Sequence, residues 1–147
     1  MNARKYLESF QSIEAKIQIK IRRVQQLQES LTKLSSPMDN EPVSHTRNVA
    51  VMAETVAEIV DMEKEIDTQT AMLLSRKRYA YKLLDSISPA NASILIEHYI
   101  EGASISEISK SRFLSARQIC RKISDAVDEF QPILDKCGAN DLSWNAS

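Results

Sequence analysis

The chain predicts an all-α protein, a long antiparallel helical hairpin of coiled-coil type followed by a trihelical helix-turn-helix domain. Three observations carry that expectation. The 147 residues include two glycines and four prolines, and runs of β-branched residues are nearly absent, which favours helix throughout. Apolar residues recur at three- and four-residue spacing over two long stretches. Ser104 to Lys122 then reads as two short helices joined by a tight turn, with a cationic back end.

The first stretch places Ala3, Tyr6, Phe10, Ile13, Ile17, Val24, Leu27, Leu31 and Leu34 in a heptad rhythm broken only by Lys20. A helix of about 33 residues is on the order of 50 Å long and needs a partner along its length. The second stretch supplies one, with Val49, Met52, Val56, Ile59, Ile66, Leu73, Ala80 and Leu84 in the same register and Glu63, Thr70 and Lys77 as polar interruptions. Between them, 35–47 contains Pro37, Pro42 and several Ser, Asp and Asn residues, which predicts a loop. Met1 to Leu34 carries seven cations and three acids, whereas Asn48 to Leu74 carries six acids and one cation. Opposite charges would therefore face each other across the seam and guide its register.

A two-helix hairpin has little interior. Ile19, Ile21, Val51, Val60, Met62, Met72, Leu74 and Leu83 flank the expected seam and need cover. A second copy would supply it in a homodimeric four-helix bundle; the alternative is the C-terminal domain folding back. Arg76, Lys77, Arg78 and Lys82 form a basic cluster that reads as a solvated helix end or as a second contact for an anionic partner.

The expected organisation is 1–87 for the hairpin, 88–136 for the helix-turn-helix domain and 137–147 for a disordered tail, polar apart from Leu142 and Trp144. In the second domain, Ser88 is the expected N-cap with Pro89 at N1. Gly102 supplies a left-handed residue at the end of that helix. Ser104 and Glu107 have capping-box spacing, and Ser115 is the N-cap of a last helix running to about Phe130. Ile94, Leu95, Tyr99, Ile105, Ile108, Leu114, Ile119, Ile123, Val127 and Phe130 can share one core.

Lys110, Arg112, Arg117, Arg121 and Lys122 fall in one stretch without an acid, although the whole chain is formally −1. Clustered cations suffice for phosphate neutralisation whatever the total charge. In a helix-turn-helix the last helix enters the major groove by its N-terminal end. Arg117, Gln118 and Arg121 are the expected base readers, since Arg pairs with guanine O6 and N7 and Gln with adenine N6 and N7. Lys110, Ser111, Arg112, Ser115 and Lys122 are the expected phosphate contacts. Double-stranded DNA is thus the expected partner.

No chemistry competes with that reading. His45 and His98 are the only histidines, and Cys120 and Cys137 are too few and wrongly spaced for a metal site. No Gly-rich phosphate loop or nucleophile elbow occurs, so no enzyme, cofactor, metal or small-molecule substrate is expected. Arg4 and Lys5 open an amphipathic helix instead of a signal peptide, and no membrane span is evident, which predicts a cytoplasmic protein with reduced thiols.

Ile94 to Gly102, Ser106-Glu107-Ile108-Ser109 and Ser115-Ala116-Arg117-Gln118-Ile119-Cys120-Arg121 together resemble the C-terminal unit of phage and prophage proteins related to region 4 of sigma-70-type factors. That group includes the late-transcription regulators of the ArpU and RinA type. The resemblance covers Asn2 to about Leu134, and it implies a DNA-binding transcription regulator encoded by a phage or prophage. Two departures stand out. Arg112 occupies a position where that family has Leu, which leaves Phe113 or Leu114 to fill the core. Ala116-Arg117-Gln118 stands where sigma region 4 has Arg-Glu-Arg, so promoter specificity does not carry over. Two rival expectations are a DNA-packaging subunit like a small terminase and a protein-interaction module that binds a host factor such as RNA polymerase.

Overall fold

The structure, a computed structural model, describes residues 2–34 and 45–137. It is all-helical, with α1 over Ala3–Leu34, α2 over His45–Leu84, α3 over Pro89–Leu95 continuing as a π segment over Ile96–Ile100, α4 over Ile105–Arg112 and α5 over Ala116–Lys136. Expectations about residues 35–44 and the tail from Gly138 fall outside the described residues. His45 to Arg47, expected in the loop, are already helical. The chain divides into two compact units, Ala15–Met72 and the combination of Met1–Glu14 with Leu73–Ser147. The sequence had placed the division at 87/88. The first turns of α1 and the last turns of α2 instead belong with the C-terminal helices, because their apolar residues contribute to one core.

In the unit Ala15–Met72 the two arms run antiparallel, as Lys20–Glu65 at 3.3 Å and Arg23–Glu58 at 3.7 Å show. Val24, Leu27 and Ile59 form its core, with Leu31, Met62 and Ile66 packed against them. The α2 side of the seam differs from the expected one. Met52, Ile59 and Ile66 face inward as predicted, but their heptad partners are Thr55, Met62 and Gln69, all at least half-buried, whereas Val49, Val56 and Glu63 are exposed. Polar Thr55 and Gln69 hid the true stripe, and the valines one position on presented a more apolar one. Gln69 Oε1 is buried without a hydrogen-bond partner.

In the other unit, Ala3, Tyr6, Leu7 and Phe10 of α1 are buried together with Leu73, Ala80 and Leu84 of α2 and with the apolar faces of the C-terminal helices. Tyr6 packs edge-on to Phe10 at 5.4 Å and tilted against Phe130 at 6.3 Å. Burial, with Tyr79 adding to it, pushes the Tyr6 phenol up to about 12. Polar contacts stitch α1 to this core, since Ala3 N donates to Gln131 Oε1 at 2.7 Å, Arg4 to Tyr99 Oη at 3.2 Å and Gln11 to the His98 carbonyl at 2.6 Å. Lys77 pairs with Glu14 at 3.8 Å and, like Arg76, is half-buried, which divides the predicted basic cluster, since only Arg78 and Lys82 are exposed.

Candidate nucleic-acid interface

Three short helical elements position the interface. α3 starts at Pro89 as expected, but the Ser88 hydroxyl does not cap it. The Glu129 carboxylate of α5 takes that role, accepting from Ser88 N at 2.6 Å, from Ser88 Oγ at 3.1 Å and from Asn91 Nδ2. These bonds, led by the backbone one, hold the Glu129 carboxyl below the usual carboxylate range. A carboxylate at the positive end of a helix is favourable. Ile96–Ile100 then widens to a π turn, closed by Glu101 N to the Ile96 carbonyl at 2.8 Å. The extra residue turns Ile100 inward beside Tyr99, where a strict α-helical period from Ile94 and Leu95 would have turned it out. Gly102 follows at φ 81, the predicted left-handed terminator.

α4 carries the predicted capping box, with Glu107 N donating to Ser104 Oγ at 3.1 Å and Ser104 N donating to Glu107 Oε2 at 3.4 Å. It ends at Phe113 in the left-handed region, φ 56, with Leu114 N donating back to the Ser109 carbonyl at 3.1 Å. α5 opens on a second capping box, in which Gln118 N donates to Ser115 Oγ at 3.2 Å and Ser115 N donates to Gln118 Oε1 at 2.9 Å. Each of the two helices thus opens on its own capping box, and the three residues 113–115 between them make the tight turn of a helix-turn-helix. Ile119, Ile123, Ala126, Val127, Phe130 and Leu134 form the buried face of α5, which runs on past the expected end near Phe130 with Pro132 inside it.

Arg117 and Arg121 lie on the outward face of α5, opposite Ile119 and Ile123, and both are exposed. Neither forms an ion pair with another described residue. Lys110, Ser111, Ser115 and Lys122 are also exposed. Asp125 and Asp128 continue the Arg117–Arg121 face, so the outward surface of α5 changes from cationic to acidic after its first two turns, with Lys136 exposed again at its end. No acid occupies the first turn of α5, and Arg117 there opposes the helix macrodipole, so helix stability alone does not account for it.

Four predicted site residues have other engagements, Ser115 among them, whose hydroxyl accepts the cap bond from Gln118 N. Arg112 is turned inward and half-buried, with Nη2 2.9 Å and Nε 3.2 Å from Glu97 Oε2 and Nη2 3.1 Å from Ser93 Oγ. Arg112 thus makes an ion pair to the π segment, and of the two neighbouring apolar residues Leu114 is half-buried while Phe113 is 94% exposed. Gln118 uses in its cap the amide oxygen that a bidentate adenine contact needs. Ser111 Oγ donates to the Ile108 carbonyl at 3.1 Å. The Ser115–Gln118 box had a sequence signal in its S-x-x-Q spacing. The Glu129 cap had none, because its partners lie 38 and 41 residues away.

His98 Nδ1 donates to the Ala103 carbonyl at 2.8 Å and its ring meets Tyr99 at 4.7 Å, a structural placement. Cys120 is exposed on α5. Among the described residues no cluster of metal-ligating side chains occurs, and no helix is long and apolar enough to cross a membrane. No protein-family model, curated protein or solved structure matches the chain.

Proposed function

We propose that the chain is a sequence-specific regulator that binds double-stranded DNA through α4 and α5 and associates as a dimer through the helical arms. The observation that carries this reading is the pair Arg117 and Arg121. Two unpaired cations stand outward over the first two turns of the second helix of a doubly capped helix-turn-helix; Arg117 occupies the positive end, where an acid would serve the helix better, and a phosphate-lined groove fits both. Of the five cations from Lys110 to Lys122, Arg112 is held by Glu97, which leaves Lys110, Arg117, Arg121 and Lys122 for the duplex. Late phage transcription is the setting that the motif resemblance suggests. Duplex binding measured by fluorescence anisotropy over a salt series tests the reading. Log affinity should fall linearly with log salt, with a slope of about two per bound chain from Lys110 and Lys122, the cations assigned to phosphates.

The exposed stripe Val49, Ala53, Val56 and Val60 on α2 favours a second reading, in which the arms bind a different protein. Under that reading duplex binding is absent at low salt.

A further inference from the structure

Phe113 combines two unfavourable features. It is the single non-glycine residue with positive φ among the described residues, and its ring is 94% exposed. Glycine fits a left-handed helix terminus without a Cβ clash, and a bulky side chain there is a steric outlier. The ring takes no part in the core, since it is almost fully exposed and the half-buried Leu114 is the apolar side chain of this turn that is covered. Along the chain the unpaired charges that flank Phe113, Lys110 and Arg117, are cationic, while Arg112 beside it is paired with Glu97. Phe113 lies in the acid-free run from Lys110 to Lys122, two residues before the Ser115 N-cap and four before Arg117. An apolar partner approaching this turn must therefore also be polyanionic.

A duplex meets both conditions, since its major groove presents the thymine C5 methyl groups beside the phosphates, and Phe is among the side chains that contact them. We propose that Phe113 is a specificity-determining residue that packs on a thymine C5 methyl group at the edge of the major groove. The contact lies next to the bases met by Arg117 and Arg121. This inference rests on the DNA-binding reading and adds a preference that the arginines cannot supply, because guanidinium groups select guanine. The cations hold the backbone and the ring reads the methyl.

The test starts from a duplex selected out of a random pool by the full-length protein. Thymines in it are then replaced one at a time by uracil, which removes only the methyl group. For the parent protein, uracil at one position should weaken binding about fourfold, the value of one buried methyl group. Phe113→Gly should bind the thymine duplex more weakly by a similar or larger factor and should no longer distinguish uracil from thymine there. Its melting temperature should equal or exceed the parent's, because glycine relaxes the left-handed residue, so weaker binding cannot be attributed to unfolding. If the parent binds duplex DNA with the expected salt slope but uracil has no effect at any position, the Phe113 assignment is overturned and the DNA-binding reading stands. If Phe113→Gly changes self-association and leaves uracil discrimination intact, the ring serves a protein contact and the assignment is likewise overturned. Absence of duplex binding by the parent at low salt removes both.

Discussion

Arg117 and Arg112 are similar cations five residues apart, and their surroundings assign them opposite roles. Arg117 is exposed, whereas Arg112 reaches back 2.9 Å to Glu97. Arg117→Ala should relax base preference at one position of the site, at a cost of about 1–3 kcal/mol for the preferred duplex. Lys122→Ala should weaken all duplexes alike and lower the salt slope by about one. Arg112→Ala should leave that slope unchanged and lower unfolding free energy by about 1 kcal/mol in denaturant titration, the value of a partly exposed, hydrogen-bonded ion pair. Glu129 adds a pH dependence. Its folded carboxyl titrates below the ordinary value of 4.5, so the stability it contributes is fully present above that value and is lost as pH falls through the lowered one. In thermal melts Glu129→Gln should be less stable than the parent at neutral pH, and the gap should close in acid. An unchanged gap at low pH would show that the carboxylate is not the cap.

At the level of elements, the helix-turn-helix was legible because its signals are local. Ser104, Glu107, Ser115 and Gly102 act within a few residues of their own position, and spacing alone finds them. The same holds for the alternating burial of Ile119, Ile123, Val127 and Phe130. What sequence could not supply were features made by distant partners, namely the Glu129 cap of α3, the Arg112–Glu97 pair and the inward turn of Ile100 at the π segment. The α2 seam was half legible. Met52, Ile59 and Ile66 were found, but their partner positions were assigned to valines because polar Thr55 and Gln69 do not read as core. Charge and early position on the helix single out Arg117 and Arg121, and both stand outward, whereas the spacing of Gln118 to Ser115 is that of a cap, which is the role its amide oxygen takes. Ser115→Ala removes a cap and should cost about 1 kcal/mol in unfolding free energy. It should also weaken duplex binding, since Arg117 lies in the turn that frays.

For the whole molecule, the open stripe Val49, Ala53, Val56 and Val60 gives the arms a second apolar face beside the seam that joins them. A stripe at this spacing suits a further helix. Val56→Glu with Val60→Glu should convert a dimer to a monomer in sedimentation equilibrium while leaving the far-ultraviolet helical signal intact. A parent protein that is monomeric at micromolar concentration would remove the dimer from the account and leave the DNA-binding head. Two heads on one dimer would also square the affinity problem of a small interface, because binding of the second half-site becomes intramolecular. The most direct measurement remains the affinity, over a salt series, of the parent and of Arg117→Ala with Arg121→Ala for a selected and for an unrelated duplex. A linear fall with log salt in the parent, with the preference for the selected duplex lost in the double variant and the slope retained through Lys110 and Lys122, is the predicted result. No duplex binding by the parent at low salt, or an undiminished preference in the double variant, would contradict it.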